Sequence, residues 1–399
     1  MGKRHRRYIR LKKYKTQDSF NRFFEKHQSI IDVIQQCGHK AYFIGGCVRD
    51  AVMGVQACDF DIATDATPED IINIFTDVRK TGIKFGTVTV KTATGSYEIT
   101  TFRKEYGYSD NRKPDKVVYA KSLYDDVRRR DFTVNALAYD GKYVYDYFNG
   151  IEDIQRKVIK TVGSPKRRFS EDALRILRAA RFASTSDFSI EDKTSESMKE
   201  HAHLLQSISK ERIFSELNKI IAGGENLKIL FDTGIADYIF LYPMCVNRDN
   251  FKEGSYEYRL VQVFSKYPKV NMVVDEVRNL RVDNRTVEVL VDVLMYADCD
   301  TDEMSLRRLL TKIGFDSVSV LLELKGQTQS ILEKIANEGY ITSVNDLALS
   351  GHDIMAMGYK KESIKEIKEF LFNKVIYDIS LNKKEILQEM IKDCPIEKP

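Results

Sequence analysis

Tyr42-Phe43-Ile44-Gly45-Gly46-Cys47-Val48-Arg49-Asp50, followed by Asp59-Phe60-Asp61-Ile62-Ala63-Thr64, places strand-forming residues, a Gly-Gly turn, an arginine and a D-x-D pair in close succession. In a strand, side chains i and i+2 share a face, so Asp59 and Asp61 would present their carboxylates side by side. Two hard oxygen ligands on one face suit Mg²⁺, which also takes substrate phosphates. Glycines at 45 and 46 let backbone N–H groups approach those phosphates, and Arg49 offers a planar fork of donors. Either element alone is common at ordinary turns. Their combination at this spacing reads as a nucleotidyl-transfer site.

Working outward, 399 residues exceed one ordinary core, so more than one domain is expected. A net charge of +4 is modest, and nucleic-acid binding would have to come from local patches. Cysteines 37, 47, 58, 245, 299 and 394 form no C-x-x-C pair and read as free thiols of a reducing compartment. No apolar run reaches the ~18 residues of a membrane span, and no apolar segment follows the basic N-terminus as in a secretory signal. The expected location is the cytoplasm, with no membrane partner.

Residues 1–17 form a basic arm containing Lys3, Arg4, Arg6, Arg7, Arg10, Lys12, Lys13 and Lys15. It reads either as a disordered solubilising tail or as an auxiliary phosphate-binding arm. Residues 18–163 read as mixed α/β. An amphipathic helix is expected over Phe20–Cys37, with Phe23, Phe24, Ile30, Ile31 and Ile34 on one face and Gly38 ending it. Strands are expected at Ala41–Ile44, Asp59–Ala63, Thr87–Lys91, Tyr97–Phe102 and Tyr143–Tyr147. Thr67-Pro68-Glu69-Asp70 predicts a helix start, with Thr as cap and Pro at the first position. From about residue 165 helical periodicity dominates.

Three groups of residues carry chemistry. Glu98 is the best candidate for a third carboxylate beside Asp59 and Asp61, with a surface glutamate as the alternative. Arg128-Arg129-Arg130-Asp131 leads straight into apolar sequence, which suggests that some of its arginines point into a cleft suited to a triphosphate or an RNA backbone. Asp131 and Asn135 would share a face if helical, and would orient arginines or contact a ribose hydroxyl. In Glu171–Phe182 a helix would bury Ala173, Ile176, Leu177 and Ala180, while Asp172, Arg175, Arg178 and Arg181 would form a polar ridge. That ridge reads as a salt-bridge ladder or as a base reader. An Asp–Arg pair matches the amino donor and ring-nitrogen acceptor of cytosine and adenine and opposes the pattern of guanine and uracil.

The blocks Gly45-Gly46-x-Val48-Arg49-Asp50, Asp59-x-Asp61, Arg129-Arg130-Asp131-Phe132-Thr133-x-Asn135-Ala136 and Glu171-Asp172-x-x-Arg175-x-x-Arg178 resemble the class II tRNA nucleotidyltransferase and bacterial poly(A) polymerase family. The resemblance covers about residues 30 to 230. More loosely, Leu347–Ile354 is similar to the C-terminal region of Gram-positive-type CCA-adding enzymes. It implies an α+β head of the DNA polymerase beta-like nucleotidyltransferase fold followed by an all-α C-terminal half. The head would span 18–163, a helical neck with the nucleotide-selecting helix 164–230, and a tRNA-binding body and tail 231–399. The implied activity is template-independent addition of C, C and A to the 3′ end of tRNA from CTP and ATP, with Mg²⁺. Poly(A) polymerases and partial CC- or A-adding enzymes share this head.

Carried onto this sequence, the resemblance assigns metal to Asp59 and Asp61. Gly45, Gly46, Arg49 and Arg130 would hold triphosphate or ribose, with Asp131 and Asn135 beside them. Asp172 and Arg175 would read the base, and Arg178 and Arg181, also assigned to nucleotide binding, would support that helix or touch phosphates. Ser207–Ile213 resembles a further block that braces the neck. CC-adding relatives typically lack a loop segment that is intact here, Arg103–Val117 with Tyr106, Tyr108, Asp110, Arg112 and Lys113, which favours adding A as well. His352-Asp353 reads as a helix-capping feature rather than a phosphohydrolase site. The competing classes are a non-enzymatic RNA-binding protein and a small-molecule nucleotidyltransferase. The intact carboxylate pair opposes the first, and the long helical half opposes the second. Oligomeric state is open, a homodimer being one option.

Overall fold

A short N-terminal helix, α1 (Asp18–Asn21), and a longer one, α2 (Gln28–Gln36), stand where the sequence predicts one continuous helix. They are separated by successive tight turns in which Phe23, Phe24 and His27 each donate backbone N–H to the residue three back. The break lets Phe20 and Phe24 both reach Tyr139, with ring centroids 5.1 and 4.7 Å away. Beyond the break, α2 buries Ile30, Ile31 and Ile34 as its periodicity demands. This computed structural model describes residues 11–108, 114–223, 227–249 and 251–396.

The head is built on an eight-stranded sheet in the order β1-β10-β9-β2-β3-β6-β5-β4. Its strands are β1 (Lys12–Lys15), β2 (Ala41–Ile44), β3 (Asp61–Thr64), β4 (Val78–Arg79), β5 (Thr87–Thr92) and β6 (Gly95–Thr101), with β9 (Leu137–Tyr139) and β10 (Tyr143–Asp146). Between them, β7 (Arg103–Tyr106) and β8 (Lys116–Tyr119) form a separate antiparallel pair. All neighbours in the large sheet are antiparallel except β3 and β6, which run parallel with Asp61 opposite Glu98.

Two departures from the sequence reading follow from pairing. Strand β3 begins at Asp61 rather than Asp59, because β2 offers partners only up to Ile44, which pairs with Asp61. The chain leaves the sheet at Gly45, whose φ of +84° is costly for any residue with a Cβ. Part of the basic arm is also an ordered edge strand, with Lys12–Lys15 pairing Tyr143–Asp146. Lys3, Arg4, Arg6, Arg7 and Arg10 lie outside the described residues, as do Asp110, Arg112 and Lys113.

The sheet has two apolar faces. On one, Phe43 and Tyr139 pack with Phe24 and Phe60. On the other, Ile44, Ala63 and Ala138 pack with Phe102, Leu123 and Val127. Helix α3 (Gly46–Val52) follows the Gly-Gly turn, and α4 (Pro68–Ile74) starts where Thr67-Pro68 predicts it. Thr67 and Asp70 close a capping box there, with the Asp70 carboxylate accepting Thr67 N–H at 2.8 Å. Helices α5 (Leu123–Arg128) and α6 (Gly150–Gln155) complete the head.

After the head, α7 (Pro165–Glu171), α8 (Leu174–Thr185), α9 (Asp192–His201) and α10 (Lys210–Ala222) dominate. One short exception is a parallel two-stranded pair, β11 (Val158–Ile159) with β12 (Ser189–Ile190). The predicted helix over Glu171–Phe182 is split, since Asp172 is extended (φ −145°, ψ 105°) between α7 and α8. Within α8 and its start, Ala173, Ile176, Leu177 and Ala180 are buried as expected.

A first compact unit runs to Leu241 and a second from Tyr242. The described residues of the second unit are helical, including Tyr256–Phe264, Asn284–Met295, Glu303–Leu324 and Ile364–Val375. The Glu303–Leu324 helix is kinked at Gly314, whose φ of +72° interrupts its hydrogen bonding. Buried Arg307 is pinned there by Glu303 and Glu338. A second core gathers Leu349, Ile354, Ile367, Leu371, Leu387 and Ile391. Asp353 serves as the box partner of the cap Ser350, accepting its backbone N–H at 2.9 Å.

Asp131 ties α8 to the head. Its carboxylate accepts from Phe132 N–H at 2.8 Å and from Asn135 Nδ2 at 3.2 Å, and the other oxygen takes Arg178 Nε and Nη2 at 2.9 and 2.7 Å. Burial alone would raise this carboxyl, but the Arg178 charge and the hydrogen bonds override it and hold it at about 2. A depressed pKa adds stability that is complete above the ordinary carboxylate range, about pH 4, and is lost as pH falls toward 2. Asp131→Asn is therefore expected to destabilise the first unit by about 2–3 kcal/mol at neutral pH and to flatten its acid-denaturation profile between those limits. Urea melts followed at pH 7 and pH 3 check both effects, and a parallel loss at both pH values would contradict the linkage.

Candidate active site

The face of the sheet that carries Ile44 and Ala63 continues into the site. Asp61 opens β3 on that face, and Asp59 lies two residues before it, outside the strand. Both residues are exposed, and among the described contacts neither carboxylate has a hydrogen bond or ion pair from the protein. Loss of surrounding water raises the Asp61 carboxyl, the neighbouring Asp59 adds to the rise, and Arg130 opposes it. Glu98, across the parallel pairing from Asp61, is raised by desolvation and then by Asp61 and Asp59. Three carboxylates thus feel one another, yet among the described residues no three His, Cys, Asp or Glu side chains converge on a single metal position. The fit is to a hard cation held by Asp59 and Asp61 and completed by phosphate and water, with Glu98 nearby.

The Gly-Gly turn faces this pair. A Cβ built on Gly45 would lie 2.7 Å from the tip of Arg130, Nη1, and the φ of +84° is what requires glycine here. Arg130 leans on the turn with little else to bind. Its Nε is 3.6 Å from Asp126 Oδ2, and both atoms are buried without a hydrogen-bond partner. A guanidinium nitrogen without a hydrogen bond beside a backbone turn suits an anionic ligand. Arg49, in the first turns of α3, is held by Asp50 and by Asn135 Oδ1 at 2.7 Å, and its guanidinium lies 5.0 Å from the Phe182 ring. Beneath the turn, Cys47 is buried and its thiol is pushed up to about 12 by that burial, with the Asp61 charge adding.

The arginines of the second and third blocks divide into those that bind protein and those left open. Arg129 is absorbed, donating to Asp126 at 2.7 and 3.0 Å and to Glu105 at 3.0 Å. Arg178 holds Asp131, and Arg181 holds buried Glu216 at 2.6 Å. Both lie against the Phe182 ring, at 5.3 and 3.9 Å. The expected 131/135 pair does meet, through Asn135 Nδ2 and Asp131 Oδ1, but on a 3-10 turn (Thr133–Asn135) rather than a helix.

Asp172 and Arg175 do not form the adjacent pair expected from a continuous helix. In the break before α8, Asp172 Oδ1 accepts Leu174 N–H at 3.2 Å, and Oδ2 lies 3.3 Å from Arg212 Nη2. Arg175 donates to Glu171 at 3.0 Å and to the carbonyls of Arg168 and Arg129 at 3.2 Å each. Glu171 is the hub of this group, since Arg167 and Arg168 also bind it. Glu216 and Glu105 were not singled out by sequence reasoning, and Glu171, Arg212 and Phe182 stood within its blocks without a role of their own. The signal present was the acid–arginine spacing of Glu171 with Arg175 and of Arg212 with Glu216. A cleft of about 280 Å³ opens beside the lattice, between β7 and α7, lined by Tyr106, Tyr108, Arg128, Arg167 and Glu171; it does not include Asp59 or Asp61.

A family model described as "Poly A polymerase head domain" matches residues 41–160, and one described as "Probable RNA and SrmB- binding site of polymerase A" matches residues 187–245. The chain is 46% identical over 231 residues to the CCA-adding enzyme of Limosilactobacillus reuteri (strain DSM 20016), a match spanning 57% of this chain and 56% of that protein. It therefore aligns with little more than half the length of that relative. It is 35% identical over 396 residues to the CCA-adding enzyme of Geobacillus sp. (strain WCH70), covering 92% of this chain and 96% of that protein. The crystal structure of the Bacillus stearothermophilus CCA-adding enzyme in complex with CTP matches with a TM-score of 0.76 at 28% identity, over 93% of this chain and 97% of that one. With a relative matched along nearly its whole length and a nucleotidyltransferase head built as described above, the chain belongs to the CCA-adding enzyme family of tRNA nucleotidyltransferases.

Proposed function

We propose that this protein adds C, C and A to the 3′ end of tRNA from CTP and ATP, by Mg²⁺-dependent nucleotidyl transfer with release of pyrophosphate. The observation that carries the reading is the juxtaposition of two exposed carboxylates without a described protein contact, Asp59 and Asp61, with Arg130 at the Gly45 turn, whose Nε has no hydrogen bond. Nucleotidyl transfer in this family is generally metal-dependent, and a bound ion would activate the 3′-hydroxyl and neutralise the triphosphate. Arg130 and the N–H groups at Gly45 and Gly46 would take the triphosphate. Arg49, fixed by Asp50 and Asn135, would reach ribose or phosphate without having to be ordered first. Asp131 would keep Arg178 in place rather than touch the nucleotide.

Asp172 and Arg175 are proposed to read the base. Asp172 retains spare acceptor capacity for an exocyclic amino group, and Arg175 would exchange a backbone carbonyl for a ring nitrogen of cytosine or adenine. Residues 164–230 would act as the neck and 231–399 as the tRNA-binding body and tail. Six free thiols and a tRNA substrate support a cytoplasmic location; no described helix is long and apolar enough to cross a membrane.

The direct test is extension of a tRNA transcript ending at its discriminator base, with Mg²⁺ and CTP, ATP or both. Growth by three nucleotides only with both is expected, and by two with CTP alone. A long ladder with ATP would make the protein a poly(A) polymerase, and two nucleotides under every condition a CC-adding enzyme. Asp61→Ala is expected to abolish extension with a circular dichroism melt near wild type, since it removes a metal ligand without opening a cavity; retained turnover would refute the assignment. Asp172→Ala is expected to relax base choice by about 1–3 kcal/mol, more than it weakens CTP binding. Unchanged C and A over G and U ratios in single-nucleotide assays would assign base reading to another group.

A further inference from the structure

Asp59 poses a problem of support. It lies outside the sheet, so no ladder of hydrogen bonds holds it, and the residues from Gly54 to Asp59 are exposed or half-buried. The nearest buried residue is Phe60, which stands between the two aspartates at 7% exposure. Phe60 packs on Phe43, while Asp61 opens β3 opposite Ile44 on the other face, so anchoring Phe60 holds Asp61 out on that face and fixes the residue through which Asp59 joins the sheet. The same alternation operates on β6, where Tyr97 is buried and Glu98 is exposed.

His27 joins the two anchors. Its ring stacks on Phe60 with centroids 3.9 Å apart and an interplanar angle of 28°. Its Nδ1 lies 2.7 Å from the Tyr97 hydroxyl, which also meets Thr94 Oγ1 at 2.8 Å. Phe24 and Phe43 pack edge-on against Phe60, at 5.9 and 6.0 Å. His27 sits at the start of α2, and the break in the predicted helix brings it there. We infer that His27 is a positioning residue for the metal-binding carboxylates, clamping Phe60 to Tyr97 so that Asp59, Asp61 and Glu98 are held at a fixed spacing. The inference rests on the proposed reading of Asp59 and Asp61 as metal ligands. Imidazole suits the task because one ring both stacks on an aromatic and satisfies a buried hydroxyl.

The test measures Mn²⁺ binding to the full-length protein without nucleotide, by electron paramagnetic resonance of the free ion, alongside CTP incorporation at varied metal concentration. His27→Ala is expected to weaken Mn²⁺ binding and to raise the half-saturating metal concentration by about tenfold, with the KM for CTP little changed. His27→Phe, which keeps the stack, and Tyr97→Phe, which removes only a hydroxyl, should move both quantities in the same direction by smaller factors. Asp61→Ala is the reference: if it binds Mn²⁺ like wild type, the metal reading itself fails. If Asp61→Ala loses the ion while His27→Ala and Tyr97→Phe bind it normally, the positioning role is overturned, even where the melt of His27→Ala is lowered. Should His27→Ala not fold, Tyr97→Phe decides on the same readouts.

Discussion

The carboxylate of Asp131 is the constraint on which the rest of the site depends. A buried charge is tolerated only when other groups repay its lost hydration, and here Arg178, Asn135 and the Phe132 N–H do so together. The consequence is geometric. Asn135, held by Asp131, is free on its oxygen to hold Arg49, while Arg178 and Arg181 share Glu216 on α10. One acid in the head thereby fixes an arginine on α3 and one on α8, and Glu216 holds a second on α8.

The same logic repeats around it. Asp126 is buried against Arg129 and Arg130, Glu105 against Arg103 and Arg129, and Glu171 among Arg167, Arg168 and Arg175. For the buried acids Asp126 and Glu105, burial works to raise the carboxyl and the arginines more than offset it, leaving both lowered. Such lattices add little net stability, because desolvation consumes most of the attraction. What they provide is a rigid frame. Within it Arg130 Nε, Asp126 Oδ2 and Arg212 Nη1 are buried without a hydrogen bond, and beside it the exposed carboxylates of Asp59 and Asp61 have no described protein partner. Preorganised charge of this kind is what a phosphoryl-transfer site requires, since little reorganisation remains to be done when the substrate arrives.

Helical periodicity finds the buried stripe of α8 but cannot see that Asp172 breaks away from it. The break is stabilised from outside the helix by Arg212 on α10, which takes Asp172, and locally by Glu171, which holds Arg168 and Arg175 on either side of it. The interrupted helix at the N-terminus has a similar origin. Phe20, Phe24 and His27 satisfy a helical pattern, yet each finds a better partner on the sheet in Tyr139, Phe43 or Tyr97. Local preference is worth tenths of a kcal/mol per residue, roughly, and loses to the burial of aromatic rings.

By itself the sequence determined the identity of the chemical groups: the D-x-D carboxylates, the Gly-Gly turn, the arginine run, the Asp172 and Arg175 pair, and the α+β head followed by helices. These are legible because each depends on residue type at short spacing. Tertiary structure alone decided which groups are spoken for and which are open. It assigned Arg129 to Asp126 and Glu105, left Arg130 beside Gly45, set Asp61 opposite Glu98, and tied Asp172 to Arg212. Apart from the Arg129–Asp126 pair, three residues apart, those assignments are made by partners that lie far apart in the chain, through burial and charge pairing, and no local pattern encodes them.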